Sequence, residues 1–130
     1  MWRDYLSKAE ANLAAAGRDF EHGGCDPCVS RAYFAAFHAA LAALLALTDF
    51  QRQGDSWKHG FVASEFVSRL VHRRKIFPNL LTDTLDNLRL WRHQADYTDL
   101  RMSRNRARQN LTTARAFVER ISATLRENRP

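Results

Sequence analysis

Apolar residues recur at intervals of three and four along almost the whole chain, the spacing of an α-helix with one buried face. Trp2, Tyr5, Leu6, Ala9, Leu13 and Ala16 form the first such stripe, and His22-Gly23-Gly24 ends it, since glycine readily takes the left-handed conformation after a helix. Asp26-Pro27 then reads as an N-cap and first helical position. The second helix is expected from about Pro27 to Leu47. Val29, Tyr33, Ala36, Phe37, Ala40, Leu41 and Leu44 make one wide face, and alanines cover much of the rest. A helix that is apolar nearly all round belongs at the centre of a fold. Thr48–Ser56 reads as a polar loop and Trp57–Val71 as a third helix, with Phe61, Val62, Phe66, Val67 and Leu70 inward and Arg73-Arg74-Lys75 closing it. After Pro78, a fourth helix is expected over about Asn79–Ala95, carrying Leu80, Leu81, Leu85, Leu88 and Trp91. Ser103 suits the N-cap of a fifth, with Ala107, Leu111, Ala114, Phe117, Val118, Ile121 and Leu125 at helical spacing. No segment alternates at period two. The pattern predicts a single all-α domain over residues 1–130, an antiparallel bundle of four to five helices.

Length and composition agree. A chain of 130 residues with five Gly and three Pro is too short for separate cofactor and substrate lobes and too poor in turn residues for an all-β fold. The longest apolar stretch, Ala32–Leu47, is interrupted by His38 and is shorter than the roughly 18–20 residues of a membrane span. No basic-apolar leader stands at the start, so a cytoplasmic protein with no membrane partner is expected.

Charge changes the picture more. Of 20 cations, 17 are Arg, the side chain best shaped for phosphate and carboxylate. Residues 1–68 carry six cations and eight anions, residues 69–130 fourteen and six. A polarised basic half points to an anionic partner, nucleic acid first and an acidic protein second; an Arg-rich solvated surface is the plainer reading.

Three constellations carry candidate chemistry. Cys25-Asp26-Pro27-Cys28 has redox or half-zinc spacing, but no second pair and no βαβ context accompany it, so small helix-start cysteines are the simpler reading. No metal site and no cofactor are expected. Arg31, Tyr33, Phe34, Phe37 and His38 sit together on the second helix, and Arg31 and His38, seven apart, lie on about the same face. His38 reads as a hydrogen-bonded core residue, while Arg31 needs a carboxylate or faces an anion. Third, Trp91-Arg92-His93-Gln94-Ala95-Asp96-Tyr97 stands at the expected end of the fourth helix, with Arg89, Arg101, Arg104, Arg106 and Arg108 around it against only Asp96 and Asp99. An Arg and a His beside an aromatic hydroxyl can hold a phosphate and move a proton; equally, such cations satisfy the last carbonyls of a helix.

Ser30-Arg-Ala-Tyr-Phe-Ala-Ala-Phe-His-Ala-Ala40, Lys58-His59-Gly60 and the run from Arg92 to Tyr97 together resemble the HEPN superfamily, the higher eukaryotes and prokaryotes nucleotide-binding domain. The likeness runs from Lys8-Ala9-Glu10 to Phe117-Val118 and is nearest to small stand-alone prokaryotic members. It implies a helical bundle that pairs as a homodimer. It further implies a toxin-like, metal-independent ribonuclease, often encoded beside a minimal nucleotidyltransferase antitoxin. The family signature is an Arg, a polar residue and, about a turn further on, a His. Arg92 and His93 match the first two, but Tyr97, Thr98 and Asp99 stand where the last belongs. The resemblance thus makes Arg92, His93, Asp96 and Tyr97 the candidate catalytic group. Arg31, Arg89, Arg101, Arg104 and Arg108 become candidate RNA or phosphate contacts. A phenol, with an ordinary pKa of about 10, is a poor base at neutral pH. The alternative is therefore a non-catalytic subunit that binds a nucleotide or docks a nucleotidyltransferase. For the toxin, the resemblance implies Tyr97 as an acceptor for a nucleotidyl group from the partner, an adduct that silences it.

Overall fold

The structure, a computed structural model, describes residues 1–52, 54 and 56–127. Gln53, Asp55 and residues 128–130 lie outside that set, and with them part of the loop expected over 48–56. Among the described residues there are five α-helices and no strand: α1 (Trp2–Glu21), α2 (Cys25–Leu47), α3 (His59–Phe66), α4 (Thr84–Tyr97) and α5 (Arg104–Glu127). The all-α bundle predicted from periodicity is the fold.

Helix α2 is the axis, packing against each of the other four. Ala35, Ala36, Ala39, Ala40, Ala42 and Ala43 are all fully buried, and their small side chains let neighbouring helices approach from every side. By length and composition α2, at 23 residues, could cross a membrane, longer than its uninterrupted apolar stretch implies, yet it lies mostly inside the bundle. Phe66 of α3, Phe77 and Phe117 of α5 close the far side of this core, with ring centroids 5.5 Å and 5.4 Å apart from Phe66.

The helix limits depart from the sequence reading at five points. Gly23 takes φ +80°, as expected, but α2 begins at Cys25 with Gly24 as N-cap. Asp26 sits inside the first turn, and its Oδ1 accepts the Met102 N–H at 2.8 Å. The carboxylate expected to cap its own helix instead ties down the segment leading into α5. Helix α3 starts two residues late, because Trp57 is committed elsewhere: its indole N–H donates to Tyr5 Oη and its ring stacks on Phe50. After Phe66 the helix widens to π winding over Val67–Arg73 and ends with Lys75 at φ +51°. The fourth helix begins at Thr84, after a 3₁₀ turn over Asn79–Leu81. That turn rotates Leu80, expected inward, to 78% exposure, while Leu81 is buried. Helix α4 runs past Ala95 to Tyr97. Thr98 stops it by donating its hydroxyl to Gln94 O and accepting the Leu100 N–H. Ser103 caps α5 as predicted, its Oγ accepting the Arg106 N–H at 3.0 Å.

Candidate functional site

Ser30, Tyr33, Phe34 and Phe37 form one stripe of α2 at helical spacing, and α4 lies along it with Arg92 and Asp96 turned inward. Arg92 Nε donates to Asp96 Oδ2 at 3.0 Å and Nη2 to Tyr97 Oη at 3.1 Å. The same Asp96 oxygen accepts the Ser30 hydroxyl at 2.9 Å. The guanidinium lies against three rings, 4.9 Å from the centroid of Phe34, 5.0 Å from that of Tyr97 and 5.7 Å from that of Tyr33. These contacts use two of its five N–H donors and fix its plane. A partly exposed pair of this kind adds little stability; its effect is orientation. His93 stands one residue on, its ring 5.3 Å from that of Tyr97, and Tyr97 is 63% exposed.

The structure therefore brings the four candidate catalytic residues into one group, with Asp96 as the clamp on Arg92. The candidate phosphate contacts separate. Arg31 pairs with Asp19 of α1 at 3.0 Å, so it has the carboxylate its position demands. Near enough to Arg89 to feel its charge, a polar chain runs from the core to the surface: the Tyr33 hydroxyl donates to His59 Nδ1 at 2.7 Å, and His59 Nε2–H donates to the exposed Asp86 Oδ1 at 3.0 Å. Arg104 lies over the Phe20 ring at 4.2 Å and Arg108 at 5.8 Å. Arg101 lines a hollow with Gly24, Cys25 and Met102. Arg101, Arg104, Arg106 and Arg108 have no carboxylate partner among the described residues.

Sequence reasoning passed over Ser30, Phe34 and Asp86 as site residues. Ser30 and Phe34 were within reach of it, being on the face of α2 that also carries Tyr33. Asp86 was not, because its partner His59 lies on another helix. Burial pushes the Tyr33 phenol up to about 12, against the pull of Arg89 and Arg92, so it stays protonated and is no base. Burial likewise pushes the Cys28 thiol up to about 11, with Asp19 and Cys25 adding to it. Both cysteines are free, and Cys28 packs with its Sγ 3.9 Å from Ala107 O. The pair is a packing element of the helix start. Among the described residues no group of three or more His, Cys, Asp or Glu is placed to hold a metal ion.

His38 faces α1, accepting the Asn12 amide at Nδ1 and stacking on Tyr5. Burial lowers the pKa of both His38 and His59; Lys8 adds to this at His38, and the Asp86 bond opposes it at His59. The folded state thus takes up fewer protons than the unfolded chain, whose histidines titrate near 6.5. Stability is complete above that value and is lost as pH falls from it through the lower folded values. The urea midpoint should decline between pH 7 and pH 5.5, and His38→Gln with His59→Gln should flatten the decline. A wild-type midpoint constant over that interval would contradict this account.

A family model described as the HEPN domain matches residues 2–125. The chain is a HEPN-domain protein. The resemblance carried by Ser30–Ala40, Lys58–Gly60 and Arg92–Tyr97 thus extends over nearly the whole bundle. A protein of Methanocaldococcus jannaschii named "Putative toxin MJ0605" is 34% identical over 122 residues, covering 92% of this chain and 84% of its own. The Arg92–Tyr97 run occupies the last two turns of α4.

Proposed function

We propose that this HEPN protein is a toxin-like RNA-binding protein with weak metal-independent endoribonuclease activity, one half of a toxin–antitoxin pair that acts in the cytoplasm as a homodimer. The observation that carries the RNA reading is uncompensated charge. Arg101, Arg104, Arg106 and Arg108 lack carboxylate partners among the described residues, and they follow the α4 end where Arg92 is held with N–H groups to spare. The name of the archaeal relative supports the toxin reading. In cleavage the RNA 2′-OH gives up its proton and attacks the adjacent phosphorus. The bond to the 5′-oxygen breaks and that oxygen gains a proton, leaving a 2′,3′-cyclic phosphate. Arg92 would stabilise the charged phosphorane, and His93, beside Tyr97, is the candidate for moving the proton.

One observation bears on the antitoxin. The Tyr97 hydroxyl, exposed and beside Arg92, suits a nucleotidyl acceptor: its oxygen attacks the α-phosphorus of a nucleoside triphosphate, its proton passes to solvent and pyrophosphate leaves. A nucleotidyltransferase antitoxin that placed this adduct would silence the toxin, since it adds negative charge where RNA phosphate would sit. The absence of a His at 97–99 favours the second reading, a non-catalytic subunit that binds a nucleotide or docks a nucleotidyltransferase.

Fluorescence anisotropy with a single-stranded RNA, in EDTA and over a range of salt, tests the main reading. Affinity should fall steeply with salt. The pair Arg92→Ala and Arg104→Ala should weaken it and make the log–log slope shallower by about 1.4, two contacts at roughly 0.7 each. Arg18→Ala, in the α1–α5 groove, should change neither. Absence of binding at low salt would move the weight to a protein partner.

A further inference from the structure

On the flank of α4 away from Arg92, a cleft of about 710 Å³ opens between α4 and α5. Helical spacing builds both walls: Thr84, Asn87 and Trp91 on α4, Arg106, Gln109 and Asn110 on α5. Such walls between packed helices would ordinarily be apolar. These carry three carboxamides, and the Arg106 guanidinium lies over the Trp91 ring at 3.8 Å. Asn110 is 3% exposed, and its side-chain NH₂ has no hydrogen-bond partner among the described residues. A buried donor without a partner costs the fold free energy; here it lines a cleft wide enough to admit an acceptor from outside.

We propose that this α4–α5 cleft is a nucleobase site. The carboxamides present paired donor and acceptor groups, as the edge of a base does, with the Asn110 amide donating to a ring nitrogen or carbonyl. The Trp91–Arg106 pair supplies a flat, positively charged platform for the ring, and among the described residues Arg106 is the one cation lining the cleft for the attached phosphate and Asp83 the one carboxylate. Asp83 offsets the charge of Arg106, so the cleft selects for the base more than for the anion. The base comes either from a free nucleotide or from a strand of RNA. In the second case the inference deepens the RNA reading and rests on it, since Trp91 and Arg92 are consecutive and the two sites occupy opposite flanks of one helix.

The test is NMR of the side-chain amides of the full chain, titrated with adenosine monophosphate, ribose 5-phosphate and a short oligoadenylate RNA. Adenosine monophosphate or the oligonucleotide should shift the Asn87, Gln109 and Asn110 amides, and ribose 5-phosphate should bind at least ten-fold more weakly. Asn110→Leu, similar in volume and lacking the unpaired donor, should keep the urea midpoint and lose about ten-fold or more in base affinity. Asn87→Ala with Gln109→Ala, both exposed positions, repeats the test without touching a buried residue. A free nucleotide that binds as tightly per base as the oligonucleotide makes the ligand a nucleotide; much tighter binding of the oligonucleotide makes it RNA. Ribose 5-phosphate matching adenosine monophosphate, or base affinity unchanged in both variants, overturns the proposal. If RNA binds with its full salt dependence while neither adenosine monophosphate nor the oligonucleotide loses affinity in Asn110→Leu or in the Asn87→Ala, Gln109→Ala variant, the cleft proposal alone fails. If adenosine monophosphate binds through Asn110 while RNA does not bind at all, the RNA reading alone fails.

Discussion

Replacing Tyr97 by His should raise cleavage of single-stranded RNA in EDTA by about 10²–10⁴-fold, the ordinary contribution of a positioned acid–base group. Position 97 already touches Arg92, through the 3.1 Å bond from Nη2 to the phenol oxygen, so an imidazole there lies next to the group that would stabilise the phosphorane. The residue is exposed, so the exchange should leave the fold intact. Tyr97→Phe keeps the ring under Arg92 but removes the hydroxyl, and should give no gain. A wild-type protein that cleaves RNA well, unchanged by either substitution, would show that the site lacks nothing at position 97 and that His93 is the residue to replace next.

Phe66→Ala should cost about 3–5 kcal/mol, the range for deleting a fully buried aromatic ring. Phe66 is 0% exposed, and it is the ring on which Phe77 and Phe117 both pack. Its loss opens a void where α3, the segment after it and α5 meet. Against a typical total of about 5–15 kcal/mol, the thermal midpoint should fall by about ten degrees or more. Leu80→Ala, at an exposed position of similar hydropathy, should stay within about 0.5 kcal/mol of wild type. Equal urea midpoints for Phe66→Ala and wild type would show that the three rings are not the support we describe.

Helical periodicity made the bundle legible because α1 and α5 each bury a regular stripe, while α2 is apolar nearly all round and so reads as the central helix. The inward positions of α5, from Ala107 to Leu125, are buried as the spacing requires. Periodicity failed where a residue is held by something distant along the chain. Trp57 is drawn to Tyr5, and Asp26 is spent on Met102; neither partner is visible from local sequence. The same division runs through the site. Arg92, Asp96 and Tyr97 lie within two helical turns, so their grouping was readable. The Ser30 hydroxyl that anchors Asp96, and the Asp86 that holds His59, come from across the bundle. Arg31 needed a carboxylate by its position, but only the packing of α1 identifies Asp19 as that partner.

The placing of α2 has a consequence for synthesis. The chain is made in order, so its most apolar helix leaves the ribosome before α3, α4 and α5 have emerged. At that moment α1 alone, of the bundle's other helices, is outside to cover it, and a 23-residue helix of that length and composition has the features by which a membrane span is selected. Early docking of α1 on α2, the pairing of lowest sequence separation among the long helices and so the cheapest in loop-closure entropy, thus competes with the bilayer and with neighbouring nascent chains for the same apolar surface. Weakening the α1–α2 hairpin, even by substitutions the finished bundle tolerates, should therefore lower the yield of folded protein more than its equilibrium stability.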